Sequence, residues 1–223
     1  MPNFPHFLTL LVLLNQNLIV HFFIRKTSTA FTILFVCVDD IILAGACLSE
    51  IERIKSLVKI KDLGELKYLL VLEVSRSKKG IHLCQRKYTL DIWTETGILA
   101  SMPFTTLLMS KNKILFEGAN RISNTNSYRR LICKLLYLTN TRPRISFVIH
   151  LLSQFLQKLT VHHQQAAQHI MCYIKVNPLE GLFFATNYEN QVKAFSDSDW
   201  ASCPKTRQST TRYCIFLGFS LIS

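Results

Sequence analysis

Two adjacent carboxylates, Asp39 and Asp40, interrupt a stretch that is otherwise apolar and β-branched, FTILFVCVDDIILAG at 31–45. This spacing predicts two strands, 31–36 and 41–45, that meet at an acidic turn. Buried like charges repel and raise each other's pKa unless a cation neutralises them, and a divalent metal does so. Mg²⁺ suits one or two carboxylates plus phosphate oxygens, and a pair of such ions clamps the attacking and leaving oxygens of a phosphoryl displacement. On these two residues alone, an exposed hairpin tip with no function fits equally well.

Downstream the pattern switches between helical and strand periods. Ser49-Glu50-Ile51-Glu52 reads as a capping box, and Ile51, Ile54, Leu57 and Val58 follow at helical spacing. After the KDLGELK break, YLLVLEV (68–74) is predicted as a strand, SRSKKG as a basic turn carrying Lys78 and Lys79, and IHLC (81–84) as the returning strand. Tyr88 to Thr96 has helical spacing and stops at Gly97, whereas 100–125 has no clean period and reads as a connecting loop. Three helices are expected at about 126–140, 144–158 and 161–176, with stops at Arg142-Pro143 and Asn177-Pro178. From Gly181 the runs GLFFA, QVKAFSDSDW and RYCIFLG read as strands, and a domain boundary is expected near 178. The class is α+β. Hydrophobic residues at 49% and charged residues at 18% exclude a disordered chain.

Charge is distributed unevenly. Twenty-six Lys and Arg against fourteen Asp and Glu give +12, which points to an anionic partner such as nucleic acid or a membrane surface. Between Glu117 and Glu180 there is no acid, while Arg121, Arg129, Arg130, Lys134, Arg142, Arg144, Lys158 and Lys175 all occur there. Ordinary helix surfaces interleave Glu with Lys at i, i+4, so a one-signed stretch predicts a surface that faces a polyanion. The start of the chain is the other extreme, with no Asp or Glu before Asp39 and no Lys or Arg before Arg25. Phe4 to Ile24 approaches the ~20 residues that cross a bilayer, but Asn15, Gln16 and Asn17 sit at its centre and no signal-peptide features flank it. A buried or poorly specified segment, rather than a membrane span, is expected there. The seven cysteines show no CxxC spacing, lie mostly in apolar runs and read as buried reduced thiols. A zinc site combining them with His162, His163 and His169 lacks paired-ligand spacing.

Four long motifs, FTILFVCVDDIILAG, KIKDLGELKYLLVLEVSRSKKGIHLCQRKYTLDI, YRRLICKLLYLTNTRPRISFVIHLLSQF and AFSDSDWASCPKTRQSTTRYCIFLGFSLIS, resemble in this order the Pol polyprotein of copia-type LTR retrotransposons. The resemblance covers about residues 22–223 and is to the C-terminal part of the reverse transcriptase and the opening of RNase H. It implies partial palm hairpins and a primer grip over 22–120, a basic helical thumb and connection over 121–178, and truncated RNase H-like antiparallel strands over 179–223. Residues 1–21 do not resemble the family. By the same resemblance Asp39 and Asp40 are the catalytic, metal-binding carboxylates of the palm, with Asp39 the more direct ligand, and Asp197 is the first metal-binding carboxylate of RNase H. The implied cofactor is Mg²⁺. Lys78, Lys79, Arg129, Arg130, Lys134, Arg142 and Arg144 are the expected contacts to an RNA or DNA template-primer, with dNTPs as the other implied partners.

The chain departs from the family at Cys37, usually Tyr; at Val71, usually Gly; at Lys205, usually acidic; and at Arg212, usually Gly. Each acidic set is also short, because no acid precedes Asp39 and none follows Asp199. The expectation is therefore an intracellular fragment of an RNA-directed DNA polymerase that is inactive alone. The missing palm and fingers, or the remaining RNase H portion, would come from another chain. The alternative is a nonenzymatic nucleic-acid-binding protein that uses the basic helices, and membrane attachment is not expected.

Overall fold

In the computed structural model the two apolar runs around the acidic pair are neighbouring antiparallel strands. β3 (Phe31–Cys37) and β4 (Asp40–Gly45) pair with Cys37 opposite Asp40 and Thr32 opposite Gly45. The structure describes residues 8–15, 18–26, 31–37, 40–45, 47–58, 61–107, 125–186, 191–198, 200, 207, 209 and 211–221. Two compact units divide the chain, Met1–Leu66 and Lys67–Ser223.

In the first unit the apolar start supplies two strands that the sequence pattern does not announce. β1 (Leu8–Asn15) and β2 (Leu18–Lys26) precede β3, and the sheet runs β1-β2-β3-β4 with every pair antiparallel. Leu, Val, Ile and Phe dominate both strands and suit a pleated surface. The polar residue Asn15 ends β1 opposite Leu18. Among the described residues no helix is long and apolar enough to cross a membrane. α1 (Leu48–Val58) follows the sheet. Its start lies two residues earlier than a capping box at Ser49 requires: the Ile51 N–H donates to Cys47 O at 3.2 Å, and Glu52 pairs with Lys55 at 3.0 Å. Glu50 accepts from Arg53 at 2.8 and 3.0 Å and also from Arg25 of β2, which ties helix to sheet. Leu34 and Ile54 are buried.

In the second unit YLLVLEV is not one strand. β5 (Tyr68–Leu69) turns through Leu70 and Val71 into β6 (Leu72–Ser77), so Leu69 faces Leu72. β7 (Gly80–Cys84) returns antiparallel, and β8 (Gly181–Ala185) adds to its other side, giving the order β5-β6-β7-β8. A Cβ at Gly80 would lie 2.1 Å from Phe184 O, so only glycine lets β8 close against this corner. The boundary expected near 178 does not coincide with the division into units, and the GLFFA strand joins β7 across it.

Helices α2 (Arg86–Glu95), α3 (Asn126–Leu138), α4 (Ser146–Ser153) and α5 (Val161–Ile174) pack beside this sheet. α2 ends as the sequence predicts: Gly97 takes φ +69°, Ile98 N–H donates to Trp93 O and Gly97 N–H to Thr94 O, the two bonds of a Schellman cap. A 3₁₀ turn, Pro143–Ile145, leads into α4 with proline at its start. At the start of α5 the Thr160 N–H donates to His163 Nδ1 at 3.1 Å. Ile92 and Trp93 of α2, Ile132, Leu135 and Leu138 of α3, Ile149 and Leu152 of α4, and Ile170 and Met171 of α5 form one buried cluster. The last sheet, β9 (Val192–Ser198), β10 (Thr211–Leu217) and β11 (Ser220–Leu221), runs β11-β10-β9, and all of β9 is exposed.

Candidate nucleic-acid interface

The β6–β7 hairpin carries Lys78 and Lys79 at its tip, between the paired residues Ser77 and Gly80. Only their backbones are engaged: Thr186 Oγ1 donates to Lys78 O at 3.0 Å and Thr186 N–H to Lys79 O at 2.9 Å. The loop is thus held while both side chains stay exposed. At the other end of β6 the turn takes φ +46° at Leu70 and +67° at Val71, a left-handed pair that closes a two-residue hairpin. Tyr137 of α3 holds this turn by donating its hydroxyl to Leu70 O at 2.6 Å. The Tyr88 ring meets that of Tyr137 edge-on at 5.5 Å, and burial, with Tyr137 beside it, pushes the Tyr88 phenol up to about 12.

The acid-free helices sort into two sets. Arg142 is 1% exposed and donates to Asn177 O at 2.9 Å and Pro178 O at 2.7 Å, with Glu180 at 4.0 Å. It fastens the end of α5 to the α3–α4 turn, so the expectation that it contacts nucleic acid is corrected: its donors point into the protein. Lys134 is paired with Glu95 of α2. Lys175 donates to the carbonyls of Ile98, Leu99 and Ser101 at 2.7–2.9 Å. Arg130, Arg144 and Lys158 are exposed, with Arg144 3.7 Å from Glu180. Arg129 is exposed as well, while its Nε donates to Leu156 O at 3.2 Å, which draws the start of α3 toward the segment that carries Lys158. Arg121 lies outside the described residues.

Of the predicted carboxylates, Asp40 begins β4 and is exposed, and Asp39 lies outside the described residues. Asp197 is exposed on β9 opposite Arg212 of β10, whose guanidinium sits 4.4 Å from the Phe147 ring centroid. Among the described residues no group of three or more His, Cys, Asp or Glu is placed to hold a metal ion. His163 is spent on the α5 cap, and His169 contacts Thr106 O at 2.7 Å and stacks on Phe104. Among the cysteines, Cys84 and Cys172 are buried thiols as expected, whereas Cys133 and Cys214 are exposed.

Over 90% of its length the chain is 31% identical to the retrovirus-related Pol polyprotein from transposon RE1 of Arabidopsis thaliana. An uncharacterized mitochondrial protein of the same plant is 33% identical over 85% of this chain, a match that takes in 80% of that protein. The chain belongs to the copia-type retrotransposon Pol family. This Pol-family chain spans 14% of the length of the RE1 polyprotein. The putative transposon Ty5-1 protein of Saccharomyces cerevisiae is 26% identical over 87% of the chain and 65% of its own length. No protein-family model matches it. No solved structure matches it either.

Sequence reasoning missed three features of this interface: the left-handed turn at Leu70-Val71, its hold by Tyr137, and the inward use of Arg142 and Lys175. The turn left one signal, since a β-branched residue stands where the resemblance leads one to expect glycine. The other two depend on contacts far apart in the chain and left none.

Proposed function

We propose that this Pol-family chain is the later part of an RNA-directed DNA polymerase joined to the opening of an RNase H, and that alone it binds template-primer without incorporating nucleotides. The observation that carries this reading is the match to a Pol polyprotein along 90% of the chain, which runs through both acidic motifs. The fold supports it in outline, with the antiparallel pair β3–β4, in which β4 begins at Asp40, and a separate strand carrying Asp197. In this reading Asp39, Asp40 and Asp197 are the metal-directed carboxylates, Mg²⁺ is the cation they take, and dNTPs are the substrates of the completed enzyme. Neither set is complete in this sequence, and a two-metal centre with too few carboxylates leaves its ions under-coordinated.

Primer extension on an RNA template with Mg²⁺ or Mn²⁺ tests this. No extension is expected from the purified chain. Robust dNTP incorporation that disappears in Asp39→Asn overturns the reading. A nonenzymatic nucleic-acid-binding role is the second reading, favoured by the exposed basic residues at the β6–β7 tip and on α3. Adding the preceding palm and fingers region of a copia-type polymerase as a separate polypeptide separates the two: extension restored in an Asp39-dependent manner supports the first, and none under conditions where both chains bind supports the second.

A further inference from the structure

The loop between β6 and β7 holds only Lys78 and Lys79, because Ser77 and Gly80 on either side are directly paired. Two-residue loops that suit the right-handed twist of a hairpin take φ > 0 at the first central residue or at both. Neither lysine does so: among the described non-glycine residues, positive φ is confined to Leu70, Val71 and Arg207. The loop therefore lacks the torsions that fix such a turn from within. Ser77 supplies a local brace, its Oγ accepting the Lys79 N–H at 3.2 Å and donating to Gly80 O at 3.1 Å.

The second brace comes from 108 residues further along the chain. β8 lies beside β7 with Ala185 opposite Gly80, so the next residue, Thr186, arrives alongside the loop. Its hydroxyl serves the Lys78 carbonyl and its N–H the Lys79 carbonyl. Both carbonyl oxygens, which carry partial negative charge, are thereby spent on β8 and not offered to an approaching anion. The two ammonium groups stay on the exposed side, and no ion pair among the described residues takes either of them. A loop that is ordered in advance loses less freedom when its lysines engage phosphate.

We propose that Thr186 is a positioning residue for nucleic-acid binding, which presets the Lys78-Lys79 loop so that both ammonium groups meet backbone phosphates. The inference rests on the nucleic-acid reading above and adds to it an uncharged residue that the basic pattern does not single out. Thr186 acts through the two lysines and itself touches no phosphate.

Fluorescence anisotropy of the full chain with a fluorescein-labelled DNA duplex, across a salt series, tests this, each variant being checked by circular dichroism. Thr186→Val keeps the shape and the N–H bond but removes the hydroxyl donor. Its affinity should fall about three- to tenfold, the worth of one hydrogen bond, with the salt slope unchanged because the same phosphates are reached. Thr186→Ser restores the donor and should bind within about twofold of the parent. Lys78→Gln with Lys79→Gln should lower the slope by about 2, and adding Thr186→Val to that pair should change nothing further. A Thr186→Val chain as tight as the parent, an equal further loss in the double-Gln background, or a loss that Ser does not recover overturns the positioning role and leaves the nucleic-acid reading standing. A parent chain without salt-dependent binding, or one whose slope the two Gln substitutions leave unchanged, overturns the role together with the reading of this tip.

Discussion

Val71 holds a backbone torsion that its own side chain opposes. A β-branched residue at φ +67° is rare, because Cβ crowds the neighbouring carbonyl, and such strain costs on the order of 1–3 kcal/mol. It persists because the two-residue β5–β6 hairpin requires the left-handed pair and because Tyr137 grips Leu70 O at 2.6 Å. Replacing Val71 by glycine relieves the clash but loosens the unfolded chain, so a net gain of about 1 kcal/mol is expected, read as a higher urea midpoint with unchanged slope. Arg142 behaves in the opposite sense. It is buried, serves two carbonyls of the α5 exit, and burial holds its guanidinium below the ordinary arginine range. Arg142→Met leaves both carbonyls without their donor, so a loss of about 2–4 kcal/mol is expected by the same measurement. Arg142→Lys should recover little, since an ammonium on a flexible stem does not reproduce the planar fork. A loss that Lys fully restores would show that charge alone matters there.

The helices α3, α4 and α5 follow from local signals: proline at the 3₁₀ turn, Thr160 at the cap of α5, and apolar residues at helical spacing. The direction each cation faces is set elsewhere. Lys134 is turned by Glu95 of α2, and Lys175 by carbonyls of 98–101, so the acid-free stretch presents fewer cations than its sequence contains. Arg129 and Arg130 remain on α3, Arg144 on the 3₁₀ turn and Lys158 between α4 and α5, with Lys78 and Lys79 on the β6–β7 tip. If about four of them reach phosphates of duplex DNA, log K should fall against log salt with a slope of roughly −3 to −4 and little sequence preference. Arg129→Gln with Arg130→Gln should reduce that slope by about 2, whereas Lys134→Gln should leave it and lower stability instead. Fluorescence anisotropy across a salt series measures this, and a salt-independent affinity would contradict the interface.

Across the whole molecule, order is concentrated where burial is. The core shared by α2 to α5 is closed, with Ile132, Leu135, Val148, Ile149, Leu152 and Met171 fully buried, while β9 has no buried residue. Amide exchange on dilute protein should therefore be slowest in α3, α4 and α5 and fastest among the strands in β9. Equal protection of β9 and the helices in a monodisperse monomer would show that something covers this strand. A fragment of about 120–178 would lack Ile92 and Trp93 of α2, which belong to the same core, so independent folding needs the chain from α2 onward. The sequence alone determined the strand pair around Asp39-Asp40, the basic turn, the helix limits at Gly97 and Pro143, and the late strands. Each rests on periodicity or on glycine and proline torsions that act over a few residues. Only the tertiary structure made the apolar start two strands and joined GLFFA to β7. It alone also turned Arg142 inward, because strand partners and buried donors are chosen by contacts between residues far apart in the chain, and no local period records them.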